Sequence, residues 1–160
     1  MNKGDQMSRK TVVVGVDGSA ASNEALHEAV GYARLLDADL RMVTTWNYEA
    51  YAEVAGSFDP EQNAREIAAG AMEAEFGTGV PAWVTVITSR GDAGSVLVGE
   101  SAAADLLVVG TRGHGGVAGL LLGSVSMHCA ERAHCAVLVT RQPVAAAHAV
   151  PLASADAVPA

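Results

Sequence analysis

Short unbroken apolar runs alternate along this chain with longer stretches in which apolar positions return every three or four residues. Residues 11–17, TVVVGVD, form a continuous β-branched run that predicts a strand buried on both faces. Residues 20–36 carry Ala25, Ala29, Tyr32, Ala33 and Leu36 at helical spacing, and Ser19 stands where it can cap that helix. Residues 38–46 read as a second strand. Residues 47–58 have no clean period and read as a loop. The next helix has an explicit start, with Asp59 at the N-cap, Pro60 at the first helical position and Gln62 placed to close a capping box. It runs to Phe76, where Gly77, Thr78 and Gly79 stop it. Strands over 81–89, 105–110 and 135–141 follow, separated by a helix capped by Asp92 and another over 124–133. Strands alternating with helices predict βαβ units and a parallel sheet covered on both faces.

Composition adds boundaries to this α/β pattern. A chain of 160 residues suits one domain. Residues 142–160 hold three of the five prolines, many alanines and one charge, which predicts a disordered tail. Residues 1–9 read as a loose polar arm, which leaves 10–141 as the domain. A net charge of −8 argues against a general binder of duplex DNA or anionic membrane, since both need a basic field. It leaves room for a small anion held by backbone N–H groups. No apolar core follows the polar N-terminus as in a signal peptide, and no run approaches membrane-spanning length. Cys129 and Cys135 have no metal-ligand constellation around them and read as a reduced, cytosolic pair.

Candidate chemistry concentrates in residues 110–126, GTRGHGGVAGLLLGSVS, which hold six of the chain's 17 glycines. In an open parallel sheet, ligands bind beyond the carboxyl ends of the strands where the strand order reverses, and the first and fourth strands often flank that point. Here the first strand ends in GVDGS and the fourth in GTRGHGG, so both carry chemistry at the same end. A glycine turn lets backbone N–H groups approach a phosphate, and Ser124 opens a helix whose N-terminus offers free N–H groups and partial positive charge. Two rival motifs fail. The loop lacks the lysine of a P-loop. Gly113, Gly115 and Ala118 fit a dinucleotide fingerprint, but they follow the fourth strand and no acid closes the next one.

The spacing G-x2-G-x9-G-[ST], met by Gly110, Gly113, Gly123 and Ser124, resembles that of the universal stress protein family. So do VVVGVDGSAAS at the start and residues 104–139, and the resemblance covers roughly 10–141. It implies a single doubly wound domain with a five-stranded parallel sheet in the order 3-2-1-4-5. It also implies an adenine-nucleotide binder, with ATP and a Mg2+ or Mn2+ ion as the expected cofactors. Carried over, Gly110 and Gly113 would sit against ribose and phosphates, and Gly123, Ser124, Val125 and Ser126 would hold phosphates at the helix start. Gly15 and Val16 would form the wall beside Asp17, an acid by the nucleotide that helps place the metal. Leu40 would offer its backbone to adenine, and Val109 would line the floor. The strand at 135–141 would pair with its copy in a homodimer, which also agrees with the hazard of a bare apolar edge. The family implies a cytoplasmic stress-response regulator or sensor rather than a turnover enzyme, and no catalytic residue is assigned.

Plainer readings stand beside these. Asp17 also suits a cap for the first helix. Arg112 reaches either a terminal phosphate or water. His114 reads as solvent-facing, and His27, His128 and His134 are too scattered for a metal site. Trp46 and Tyr48 suit packing better than a place beside a base.

Overall fold

The computed structural model describes residues 9–48, 58–112 and 122–141. The N-terminal arm up to residue 8, the part of the loop at 49–57, Gly113 and His114 with the rest of 113–121, and the tail at 142–160 lie outside the described residues.

Among the described residues nine elements alternate: β1 (Thr11–Gly15), α1 (Ala20–Leu36), β2 (Asp39–Trp46), α2 (Pro60–Phe76), β3 (Val84–Arg90), α3 (Ala93–Ser101), β4 (Leu106–Gly110), α4 (Ser124–Arg132) and β5 (Ala136–Thr140). The sheet order is β3-β2-β1-β4-β5, with every pair parallel. The order reverses between β1 and β4, as the resemblance implied.

Side-chain alternation divides the core into two layers. Val12, Val14, Leu40 and Met42 face one way and pack with Leu26, Ala29 and Val30 of α1 and Ala68 and Met72 of α2. Val13, Val43, Leu107 and Val109 face the other way, with Leu97 of α3 and Cys129 of α4. The three valines of β1 are completely buried, which is why that strand is a continuous apolar run rather than an alternating one.

The helix ends follow their local chemistry. Ser19 caps α1 by accepting from the Ser22 N–H, and Asp37 closes the same helix in the left-handed region at φ 49°. Asp59 accepts from the N–H groups of Glu61 and Gln62, while the Gln62 amide donates onward to Glu66. Asp92 caps α3 through the Ser95 N–H.

Two strand limits differ from the sequence reading by more than one residue. Strand β3 starts at Val84 rather than at 81, because residues 81–83 form a turn in which the Val84 N–H bonds the Pro81 carbonyl at 3.0 Å. Pro81 has no N–H to give to a ladder. Strand β1 ends at Gly15. The Val16 N–H still reaches the Val43 carbonyl at 2.9 Å, and Gly18, at φ 81°, then turns the chain into α1.

Candidate functional site

A cavity of about 820 Å³ lies across the carboxyl ends of β1, β2 and β4, where the strand order reverses. That volume falls in the range of small-molecule sites. Gly15, Val16 and Asp17 from the end of β1, Val109 and Gly110 from the end of β4, and Gly123, Ser124, Val125 and Ser126 from the start of α4 all line it. The fold therefore brings together most of the residues singled out from the sequence.

Leu40 is not among them. It is the second residue of β2, paired with Val12 and Val84 and fully buried in the layer under α1 and α2. Parallel strands start at the same edge, and each residue advances about 3.3 Å, so Leu40 lies roughly 10 Å short of the wall at Val43. The β2 residues on the cavity are Val43, Thr44, Thr45 and Trp46. The sequence reading named none of these four as a site residue; the rule that ligands sit at carboxyl ends, applied to β2, is the signal that could have found them.

The start of α4 is built differently from the other three. Its N-cap is Gly123, with extended backbone and no side-chain hydrogen bond to the helix. The Gly123 N–H donates to the Thr111 carbonyl at 2.7 Å, and this anchors the cap to the chain leaving β4. The first turn of a helix presents N–H groups that have no partner within the helix, and here no side chain of the described residues caps them. Ser124 is exposed on the cavity rim, with its hydroxyl at the first helical position. Ser126 is buried, and its Oγ donates to the Gly110 carbonyl at 2.6 Å. Its proton ties α4 to β4, so what this residue offers the cavity is backbone N–H rather than hydroxyl.

Gly110 has a structural reason to be glycine. A Cβ there would lie 2.7 Å from the Ala21 carbonyl oxygen and 2.8 Å from its carbon, both backbone atoms at the start of α1. At Gly15 a Cβ would meet only the tip of the Leu97 side chain.

Asp17 is half-buried, and its Oδ1 accepts from the Ser19 N–H at 2.9 Å. Its own N–H donates to Ser22 Oγ, which in turn donates to the Ser19 carbonyl. Of the two readings of Asp17, capping of α1 falls to Ser19, and Asp17 shapes the turn that presents Ser19. Ser22, buried and on the cavity wall, went unnoticed in the sequence because it looks like any serine in a first helical turn. Arg112 lies exposed on the rim and is the cation among the described lining residues.

The far wall belongs to β2 and α2. Pro60, Asn63, Ala64 and Ile67 line the cavity along one stripe of α2, beside Thr45 and Trp46. Trp46 meets Tyr48 edge to face with ring centroids 5.4 Å apart, and the Arg90 guanidinium lies over both rings. These aromatics thus pack with each other, and Trp46 alone of the two also lines the cavity. Thr44 Oγ1 is buried with no hydrogen-bond partner among the described residues.

Among the described residues no three His, Cys, Asp or Glu side chains cluster to hold a metal ion. Both cysteines are free thiols, and burial pushes the Cys129 thiol up to about 11, so it stays protonated and apolar. No helix of the described residues is long and apolar enough to cross a membrane.

A doubly wound sheet with a cavity at its switch point and an uncapped helix start on its rim defines an α/β domain whose cavity has the size of a small-molecule site. The chain belongs to the universal stress protein family, whose model matches residues 8–141. It is similar to the universal stress protein Rv2623 of Mycobacterium tuberculosis, 36% identical over 137 residues, which cover 82% of this chain and 45% of that protein. The chain thus spans about half the length of this curated relative. It is also similar to the universal stress protein MJ0531 of Methanocaldococcus jannaschii, 28% identical over 141 residues, covering 84% of this chain and 83% of that one. A solved structure of a universal stress protein in complex with cAMP matches with a TM-score of 0.63 at 29% identity, covering 82% of this chain and 96% of that chain.

Proposed function

We propose that this domain binds an adenine nucleotide, ATP with a divalent cation, and acts as a cytoplasmic, dimeric stress-response regulator. The observation that carries the reading is the start of α4, which no side chain of the described residues caps and which lies on a cavity at the switch point. Free N–H groups and the positive end of a helix dipole favour a phosphate there, in a chain whose net charge of −8 would otherwise repel one. The relative solved with cAMP supports a nucleotide as the ligand class.

In this reading Gly123, Ser124, Val125 and Ser126 hold phosphates, Gly110 and Gly113 approach ribose and phosphate, and Gly15, Val16 and Val109 form walls and floor. Asp17 supplies one oxygen to a Mg2+ or Mn2+ ion whose other ligands are phosphates and water, the usual mode for Mg2+. The dimer forms through the β5 edge, where Val137, Leu138 and Val139 are half-buried. The nucleotide-binding domain is 10–141, with the arm and tail outside it.

The test is to denature freshly purified protein, identify released nucleotide, and record melting with and without millimolar ATP and magnesium. Ligand at 100 times its Kd adds about 2.7 kcal/mol, a rise of roughly 5–11 °C for a domain of this size. No released nucleotide and no shift would overturn the reading. Phosphate release that vanishes in Asp17→Ala would mark a slow ATPase instead of a sensor.

A further inference from the structure

We infer that Asn63 is a specificity-determining residue of this site, reading the edge of the ligand's base. The inference rests on the nucleotide reading above and adds a residue that no part of the glycine motif contains.

The cavity has two unlike ends. One, at β4 and α4, sets the glycine backbone, Ser124 and Arg112 beside Val109, Leu122 and Val125. The other, at β2 and α2, is Trp46, Pro60, Ala64 and Ile67, with Thr45 and Asn63. The two ends are separated by β1, hence by two strand spacings, roughly 10 Å. A nucleotide with its phosphates at α4 therefore extends its base toward α2. Residues 60, 63, 64 and 67 form one stripe of that helix, and three of them are apolar. A polar residue on an inward stripe is the informative exception.

Among the described residues, nothing gives the Asn63 side chain a structural task. Asp59 caps the helix, the Gln62 amide bonds Glu66, and among the described residues no hydrogen bond engages the Asn63 amide. Small-molecule sites are mostly apolar, with a few placed polar groups that fix orientation. A carboxamide offers a donor and an acceptor in one plane. That pair matches the exocyclic amine and neighbouring ring nitrogen of adenine, with Oδ1 accepting and Nδ2 donating.

The test is calorimetric titration of the full chain with ATP and GTP, in wild type, Asn63→Leu and Asn63→Asp, with melting curves to verify folding. An acceptor-only carboxylate suits guanine, which presents two adjacent donors, N1–H and the 2-amino group. Wild type is expected to prefer ATP. Asn63→Leu is expected to lose between about 5- and 150-fold of that preference. Asn63→Asp is expected to move it toward GTP. Ser124→Ala should weaken both nucleotides alike. If both folded Asn63 variants keep the wild-type ATP to GTP ratio, the inference is overturned and the nucleotide reading stands. If wild type binds neither nucleotide, both fall together.

Discussion

Helices α3 and α4 pack on the same face of the sheet and both start on the cavity, yet their starts are opposites. The α3 start is closed: the Asp92 carboxylate accepts from the Ser95 N–H and the Ser95 hydroxyl, each at 2.9 Å. The α4 start has glycine at the cap and no side-chain hydrogen bond. A side-chain cap at such a position is worth about 1 kcal/mol, so leaving one bare forgoes stability that its neighbour takes. A bare cap on the cavity is the place the proposed phosphate would fill. An acid at one start and none at the other also gives an anion one place to sit.

The largest test is to make the two starts alike. Gly123 has φ −75° and ψ 167°, an extended conformation that aspartate adopts at an N-cap. Gly123→Asp is expected to fill the free N–H groups with its own carboxylate and to lower ATP affinity at least about 100-fold. It should also raise stability by about 0.5 kcal/mol. Calorimetric titration and a melting curve on the same preparation read both signs. Binding that survives with wild-type affinity would mean that the phosphates are held elsewhere.

Next in size is Gly110→Ala. Its Cβ would press on backbone atoms of Ala21, which have no rotamer to yield, so destabilisation of about 2 kcal/mol is expected. Gly15→Ala meets only the mobile end of Leu97 and should cost less. Denaturant midpoints measure both, and equal losses would contradict this reading of the two strand ends.

These two glycines show what the sequence could and could not convey. The spacing from Gly110 to Ser124 marked one wall of the cavity, because a backbone cradle demands glycine and serine at fixed offsets along one continuous segment. The reason for Gly110 was hidden, since contact with Ala21 spans 89 residues and exists only once β4 lies beside α1. The other wall carries no motif. Thr45 and Asn63 share that wall because β2 and α2 dock, and no local pattern marks them. Leu40 shows the opposite error, a role carried over by resemblance to a position too early in its strand. Element limits were legible wherever a capping residue fixed them, as at Ser19, Asp59 and Asp92, and failed at Pro81, where a turn precedes the ladder.

Ser124 and Ser126 divide the tasks of the open start. Ser126→Ala removes a buried bond to the Gly110 carbonyl and is expected to cost about 1 kcal/mol, or roughly 2–4 °C in melting temperature. Ser124→Ala breaks no hydrogen bond among the described residues, so its effect should fall on nucleotide affinity with the melting temperature of the free protein unchanged. An exchange of these phenotypes would show that the hydroxyl roles are reversed.

The smallest effect lies at the closed start. The N–H of Ser95 donating to Asp92 holds its carboxyl below the ordinary value of 3.8. A depressed folded-state pKa contributes stability that is present above the unfolded value and lost as pH falls through the folded one. Asp92 is exposed, so solvent screening keeps that contribution small, below about 1 kcal/mol. Asp92→Asn keeps an acceptor for the Ser95 N–H and removes the charge. Its melting temperature should therefore sit slightly below wild type at neutral pH and converge with it in acid below 3.8. Ligand affinity should move the other way. The carboxylate stands beside Ala93, which lines the cavity, so removing it relieves repulsion of a phosphate. A gain of up to about threefold is expected at low ionic strength, vanishing at high salt where the Debye length shrinks to a few ångströms. A salt-independent change would point to altered packing of α3, and no change at low salt would make its acid a cap and nothing more.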